Sequence, residues 1–412
     1  MDDRQLLPKA WVALWLSALY NAATALCSVF IGVYLWVNSF DFSVVCRHYL
    51  AVYAVTPIVF ILAGWYSQAR DRLHVYRLGL VLHAVFYGLL LVLRERSPEY
   101  ATSLGVFLGI AWGVFWAGAN TFDFDVTAQG RREYYFGLLS VISGLVGLLC
   151  PLIAGLVIRY GGDAREGYLW VFALSAALYL AGFGLSFLMP PDNTRRPFRI
   201  RRALWPGKDQ RDWRLMMLAS ASLAGSFSIF AFLLSLLMYM ETTNESTVGG
   251  YASFQALASV VTALFVGRLV TPGTRRRYMF WGVAALLVAG SLMAFKLTFA
   301  TLFLFGLLRS VSGPLFGIPH SGLRMDIIVK SAEDPAQRIE YISAWEVPLA
   351  IGRIIMMLMM MGLYDLLSGN EIGIRIMLFI LCAIRIITYQ LVTHTSALDG
   401  SDRSDGSDRS NS

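Results

Sequence analysis

Long uninterrupted apolar runs are the feature of this 412-residue sequence that most restricts its fold. The runs are roughly 18 to 25 residues long, the length at which a helix crosses the ~30 Å hydrocarbon layer of a bilayer. Because that layer holds no water, each run must pair its own backbone N–H and C=O groups by forming a helix. The chain is 57% hydrophobic and 15% charged, unlike a soluble domain. The sequence therefore predicts an all-α integral membrane protein.

Length and glycine or proline punctuation divide the chain into about twelve spans. Six lie near residues 11–37, 45–66, 77–94, 101–123, 134–158 and 167–189, and six near 215–240, 248–270, 278–297, 300–323, 341–364 and 372–393. The longest polar stretch separates the two sets and carries eight basic residues. We predict an N-terminal half over 1–189, a basic cytoplasmic linker over 190–214, a C-terminal half over 215–393 and a disordered polar tail over 394–412.

Basic residues predict the orientation of the spans. If the spans alternate, the linker and the loops that hold Arg70 and Arg275 lie on one side, whereas loop 241–247 on the other side has no Lys or Arg. Cytoplasmic loops are the ones enriched in Lys and Arg. We therefore expect a multi-pass protein of the cell (plasma) membrane with both termini in the cytoplasm. The same loops account for the net charge of +7, so we expect no nucleic-acid partner.

The two halves repeat each other weakly. Arg131-x-Glu133-Tyr134 precedes the fifth span, and Arg338-x-Glu340-Tyr341 precedes the eleventh. Just upstream, residues 115–125 match 316–326, and each stretch ends in Asp. The arginine-rich loop after the second span likewise corresponds to the loop after the eighth. Three matches in the same order indicate an internal duplication.

Twelve spans in two halves, joined by a basic linker, resemble the major facilitator superfamily. The family's loop motif Gly-x-x-x-Asp-Arg-x-Gly-Arg-Arg is similar to Ser67-Gln-Ala-Arg-Asp71-Arg72-Leu-His74-Val-Tyr-Arg77, which lacks both glycines. The family's fifth-span motif Gly-Pro-x-x-Gly-Gly resembles Cys150-Pro151-Leu-Ile-Ala154-Gly155. The resemblance covers essentially the whole chain. It implies two pseudo-symmetric six-helix halves and a secondary transporter that works by alternating access.

In that family, cytoplasmic arginines and acids form ion pairs that latch the two halves together. The repeated Arg-x-Glu-Tyr motif would place such charges at the starts of two helices, where an acid also suits the helix dipole. A single copy would favour ordinary helix-start charges at the interface, but the duplication favours a latch. The gate candidates are Asp71, Arg72, Asp125, Arg131, Arg132, Glu133, Arg275, Arg276, Arg338 and Glu340.

Charged residues inside spans are the strongest functional hints in a membrane protein. Arg353 lies in the middle of span eleven, and Glu346 lies seven residues earlier on nearly the same helix face. Three roles stay open for them: a proton-coupling carboxylate with its modulating base, an anion-binding arginine with its counter-charge, or a permanent structural pair. Span ten carries Arg309 and His320 beside two prolines, which predicts an interrupted helix of the kind that lines cavities.

Neutral polar and aromatic residues form stripes on other spans. At helical spacing they occur as Asn21 and Thr24 on span one and as Trp112, Trp116 and Asn120 on span four. Such stripes either line a cavity or pack helices together. With a stripe on span eight, the complete set of cavity candidates is Asn21, Thr24, Trp112, Trp116, Asn120, Gln255, Arg309, His320, Glu346 and Arg353.

No sequence motif indicates an enzyme, a metal site, a cofactor or a channel filter. The four cysteines lack CxxC spacing and read as small core residues. We expect a monomeric transporter of a small solute in the lipid bilayer, with H⁺ as the candidate coupling ion. The alternative is a transporter-like membrane sensor or assembly partner without transport activity, a possibility raised by the degraded loop motifs.

Overall fold

The computed structural model describes residues 8–69, 72–126, 132–162, 164–189, 200–332, 337–367, 371–396 and 398. Every regular element in these ranges is a helix, as predicted. The α-helices are α1 Pro8–Cys27, α2 Ile31–Ser39, α3 Phe42–Ala69, α4 Arg72–Leu93, α5 Ala101–Val126, α6 Arg132–Tyr160, α7 Ala164–Leu185, α8 Arg201–Leu204, α9 Arg211–Thr242, α10 Glu245–Leu269, α11 Arg275–Phe295, α12 Phe299–Ser331, α13 Arg338–Leu366 and α14 Glu371–Thr393.

Eleven segments of the described residues are long and apolar enough to cross a membrane. One of them, Leu73–Ala119, contains α4 and α5 joined by a 3₁₀ turn over Arg94–Tyr100, so the predicted number of about twelve spans is confirmed. The first predicted span is not one straight helix. It divides into α1 and α2 at residues 28–30, where the amide of Phe30 bonds the carbonyl of Cys27 over 2.9 Å and tightens the chain into a turn.

The helices group into two compact units. The first comprises Met1–Phe198 with Ser235–Ser253, and the second comprises Arg199–Leu234 with Phe254–Ser412. The second unit therefore includes residues 200–214, which the sequence assigns to the linker. Trp213 explains this packing, because its buried indole donates a 2.8 Å hydrogen bond to the carbonyl of Ala203. The domain boundaries drawn from the sequence stay a prediction.

A glycine stripe joins α3 to α5 in the first unit. Gly105, Gly109 and Gly113 lie four residues apart on α5 and so share one face. A Cβ atom there would lie 2.3, 2.9 and 2.8 Å from the backbone carbonyl oxygens of three α3 residues, namely His48, Val52 and Thr56. Such distances are closer than any side chain tolerates. Small residues at helix contacts let backbones approach and gain van der Waals contact where lipid removes the hydrophobic driving force.

The second unit has a similar close contact between α9 and α13. A Cβ atom on Gly352 would lie 1.8 Å from the carbonyl oxygen of Ala221, and one on Gly225 would meet the side chain of Met356. Glycine at positions 225 and 352 therefore fixes how near these two helices come. Both helices also carry polar residues of the candidate site described below.

Helix α12 runs without interruption over Phe299–Ser331 and has Pro314 and Pro319 inside it. The prediction of an interrupted helix in span ten is therefore wrong. Each proline removes one backbone donor, a loss that membrane helices tolerate when neighbouring side chains satisfy the freed groups. Nearby, the Ser312 hydroxyl donates to the carbonyl of Gly282 over 2.6 Å and ties α12 to α11.

Candidate functional site

An aromatic cluster occupies the interior of the first unit, on α1, α4, α5 and α7. Tyr20 stacks on Phe115 with ring centroids 3.6 Å apart and an angle of 6° between the planes. The ring of Trp116 meets Tyr20 edge-on at 5.9 Å, and that of Tyr179 does so at 5.7 Å. His83 stacks on Tyr179 at 4.9 Å. Such a cluster presents ring faces and edges without any formal charge.

The polar stripe of α1 makes hydrogen bonds to neighbouring helices. The Thr24 hydroxyl donates to the carbonyl of Tyr20 over 2.8 Å, so it must accept the 2.8 Å bond that it shares with the Tyr179 hydroxyl. The amide of Asn21 donates to the hydroxyl of Ser143 on α6 over 3.1 Å. Asn21 and Thr24 thus tie α1 to α6 and α7. Whether they also contact a solute stays a prediction.

The two tryptophans predicted to line a cavity lie on α5 with different burial. Trp112 is half-buried, whereas Trp116 is 43% exposed beside the aromatic cluster. The side chain of Asn120, the third member of that stripe, lies outside the described residues. Trp116 therefore links the buried cluster to the surface of the first unit.

In the second unit, Arg309 of α12 contacts α10 and α9. Its guanidinium donates a 3.2 Å hydrogen bond to the side-chain oxygen of Gln255 and lies 5.5 Å from the ring centroid of Phe230. A flat guanidinium over an aromatic face is a favourable cation–π arrangement. The structure thus brings together Arg309 and Gln255, two residues that the sequence predicts separately.

Glu346 and Arg353 share one face of α13, as their spacing predicts. The closest oxygen and nitrogen of the two side chains lie 4.0 Å apart, at the edge of ion-pair distance. The Nε of Arg353 donates to the hydroxyl of Ser228 on α9 over 3.0 Å. Arg324 of α12 also acts electrostatically on the Glu346 carboxylate. Glu346 therefore lies among arginines of two helices.

His320 is 2% exposed and stacks on Phe316 at 5.7 Å. Arg385 of α14 lies 5.0 Å from the centroid of the same phenyl ring. The sequence patterns above do not single out Arg385 or Arg324. Arg385 is a charge inside an apolar run, the signal that identifies Arg309, whereas Arg324 falls just beyond the predicted tenth span. Arg324 lies 3.7 Å from the ring of Trp345. Tyr179 and His83 were not predicted for another reason. They pack against aromatic residues of helices distant in the sequence, and residue spacing along one helix does not indicate such contacts.

The interiors of the two units differ in charge. In the second unit, Arg309, Arg353 and Arg385 lie inside apolar helices and Arg324 lies nearer the end of α12, and Glu346 on α13 is acted on by Arg353 and Arg324. The cluster that we describe in the first unit is built of aromatic rings and contains no Arg, Lys, Asp or Glu. A guanidinium is costly to hold in a membrane. This set of arginines therefore indicates a region suited to negative charge.

The gate candidates are only partly described. Asp71 and Arg131 lie outside the described residues, as do the side chains of Arg72, Asp125, Arg132 and Glu133. In the second unit, Arg275 at the start of α11 pairs with Asp326 of α12 over 2.6 Å. Arg276 and Arg338 are exposed, and Glu340 is half-buried in the first turn of α13. The gate role of these residues stays a prediction.

Comparison with known proteins identifies the family. The profile of the Major Facilitator Superfamily matches residues 49–318. Protein YqgE of Bacillus subtilis (strain 168) is 28% identical over 368 residues, 89% of this chain and 85% of that protein. The crystal structure of the nucleoside transporter NupG superposes with a TM-score of 0.74 at 13% identity, over 94% of this chain and all (100%) of that one. A crystal structure of the peptide transporter POT gives a TM-score of 0.73 at 11% identity, over 95% of each chain. The chain belongs to the Major Facilitator Superfamily of multi-pass membrane transporters.

Proposed function

We propose that this protein is a monomeric secondary transporter of the cell membrane that moves a small anionic solute by alternating access. The observation that carries the proposal is a set of four arginines on helices of the second unit, Arg309, Arg324, Arg353 and Arg385, of which Arg353 and Arg324 act on the Glu346 carboxylate. Both termini lie in the cytoplasm in this proposal, because the basic loops then obey the positive-inside rule.

The chemistry of arginine favours an anion over other solutes. A guanidinium is planar, stays charged and matches the geometry of carboxylate and phosphate groups. Arg309 is held between Gln255 and the ring of Phe230, so its plane is oriented before a ligand arrives. Pre-orientation lowers the entropy that binding must overcome. Arg309 is therefore our first candidate for contact with the anionic group.

We place the coupling proton on Glu346. When ionised, this carboxylate attracts Arg353, 4.0 Å away, and Arg324. When protonated, it no longer neutralises them, and their charge becomes available to an anion. Binding of a proton and binding of the anion would then reinforce each other, which is the linkage that a symporter needs. The permanent structural pair is the competing role, and it predicts a different mutant phenotype, described below.

The cytoplasmic charges form the gate of the proposed cycle. Arg131 and Glu133 in one half, and Arg338 and Glu340 in the other, would pair with loop charges when the cytoplasmic side is shut. Each pair would break when that side opens. The internal repeat supports this role, because it puts the same motif at equivalent places in both halves.

The proposal is tested by binding and by accumulation. Purified protein is screened by thermal shift at several pH values against carboxylates, phosphate esters, neutral sugars and amines. We expect stabilisation by an anion, and we expect it to disappear in Arg309→Gln but to persist in Lys296→Gln, which removes an exposed charge at the end of α11. The anion that binds is then offered to sealed proteoliposomes. A transporter accumulates it, whereas a sensor binds it without accumulation.

A further inference from the structure

A pocket lies at the polar end of the second unit, away from the arginines described above. It is formed by the turn between α8 and α9, the first turn of α9, the end of α12 and Ser396 just beyond α14. The sequence places Ser396 in the polar tail, yet its amide and hydroxyl donate to the two carboxylate oxygens of Asp212 over 3.0 and 2.5 Å. The segment just after α14 therefore closes one wall of this pocket.

Asp212 is electrostatically compensated within that wall. The ammonium of Lys330 lies 3.5 Å from the Asp212 carboxylate and donates to the Ser396 hydroxyl over 3.1 Å. Leu398 is buried just beyond, in the same apolar cluster as Trp213. Hydrogen bonds thus hold Asp212 and Ser396 together in this wall, and the exposed Lys330 ammonium bonds to both of them.

The remaining charged groups of the lining favour a bound anion. With Lys330 and Asp212 compensating each other, Arg202 and Arg211 remain in the lining against the single acid Asp209. The first turn of α9, a 32-residue helix, adds backbone N–H groups and the positive end of its dipole. Together these groups form the usual surroundings of a bound phosphate.

A buried acceptor in the same lining calls for a hydrogen-bond donor. Gln210 is 8% exposed, and its amide nitrogen donates to the hydroxyl of Tyr341 over 2.7 Å. Its side-chain oxygen has no hydrogen-bond partner among the residues that the structure describes. A buried acceptor left without a donor costs about 1–3 kcal/mol. A ligand or water that brings an N–H or O–H group would remove that cost.

We propose that this pocket binds a phosphate that carries a neighbouring hydrogen-bond donor, such as a phosphoethanolamine or glycerol phosphate group. Arg202 and Arg211 take the phosphate, and the ammonium or hydroxyl group goes to Gln210 and Asp209. Such a group occurs both in membrane lipids and in soluble esters. Trp205, 80% exposed in the turn beside the pocket, is a residue typical of the lipid headgroup region.

The test measures phosphate-ester binding to the purified full-length protein in phosphate-free detergent. Soluble O-phosphoethanolamine, glycerol phosphate and phosphocholine are titrated by thermal shift. In parallel, native mass spectrometry counts bound phosphatidylethanolamine, phosphatidylglycerol and phosphatidylcholine. We expect Arg202→Gln/Arg211→Gln to weaken binding about tenfold. The matched control is Arg214→Gln, an exposed arginine one turn along α9 that does not line the pocket, and it should stay within about twofold.

The choline compounds distinguish the donor requirement, because their quaternary ammonium has a charge but no N–H group. They should bind about fivefold more weakly than the ethanolamine compounds. Binding of soluble esters alone, lipids alone or both supports the pocket and identifies the source. No binding of either, equal binding of choline compounds, or an equal loss in Arg214→Gln overturns it. Arg202 and Arg211 are both exposed, and if the double variant does not fold, the two single variants give the same readout.

Discussion

The guanidinium of Arg309 on α12 donates a hydrogen bond to the side-chain oxygen of Gln255 on α10 over 3.2 Å. Both residues are polar interruptions of apolar helices. Because the bond fixes the direction of the guanidinium plane, it prepares Arg309 for a ligand as well as linking two helices. The proposed binding of an anionic solute by Arg309 depends on that orientation.

Replacing Arg309 by lysine keeps the charge and removes the planar fork. We expect uptake of the bound anion to fall roughly tenfold, since an ammonium cannot reproduce a bidentate contact. Initial uptake rates in proteoliposomes, at equal amounts of inserted protein, measure the effect. Lys296→Gln serves as the control and should transport at the wild-type rate. Normal uptake by Arg309→Lys would remove this residue from the binding site.

Glu346→Gln separates the coupling role from the structural role. If Glu346 carries the proton, the variant exchanges labelled for unlabelled anion across the membrane but no longer responds to an imposed proton gradient. If Glu346 and Arg353 are only a structural pair, Glu346→Gln instead lowers the melting temperature, and Glu346→Gln/Arg353→Gln recovers part of the loss. Exchange and gradient-driven uptake are measured on the same vesicle preparations, beside a melting curve.

Glu133 and Glu340 are the acids of the repeated Arg-x-Glu-Tyr motif, which we propose to form the cytoplasmic gate. Glu133→Gln/Glu340→Gln should change the transport rate severalfold. In the proposed cycle these ion pairs form only when the cytoplasmic side is shut, so their loss destabilises that conformation relative to the open one. The melting temperature should stay close to that of the wild type. Uptake rate and thermal stability are measured together. A doubly substituted protein that transports at the wild-type rate would show that the repeated motif is not a gate.

Gly105→Ala tests the contact between α3 and α5. The added methyl group would lie 2.3 Å from the carbonyl oxygen of His48, so the two helices must move apart. We expect a loss of about 1–3 kcal/mol in stability. The matched control is Gly88→Ala in α4, where a Cβ atom would meet nothing within 4 Å. Thermal unfolding in detergent compares the two variants, and similar melting temperatures would contradict the assigned packing.

Thr24→Val removes the acceptor of the buried Tyr179 hydroxyl at nearly constant volume. We expect a loss of about 1–3 kcal/mol, because a hydroxyl is left unpaired in the interior of the first unit. Thr24→Ser keeps the hydroxyl group and should keep most of the stability. Thermal melting of the three proteins decides between this role and a purely solute-contacting one, for which Thr24→Val would melt like the wild type.

The fold was predictable because lipid leaves the chain few choices. Any apolar run of sufficient length must be a helix, and the spacing of Glu346 and Arg353 puts them on one face in any helix. By contrast, the cluster of Tyr20, Phe115 and Tyr179 joins residues distant in sequence, and no periodicity reports such a meeting. Local rules also failed for α12, which continues through Pro314 and Pro319 although the two prolines predicted an interruption.

Gradient-driven accumulation is the decisive measurement of proton-coupled anion transport by this protein. Sealed proteoliposomes that contain the wild-type protein receive an inward proton gradient and the labelled anion identified by the binding screen. The account predicts that the anion reaches a higher concentration inside than outside, and that Arg309→Gln vesicles only equilibrate slowly with the medium. Wild-type vesicles that bind the anion but never accumulate it, with or without the gradient, would contradict the account and favour a membrane sensor.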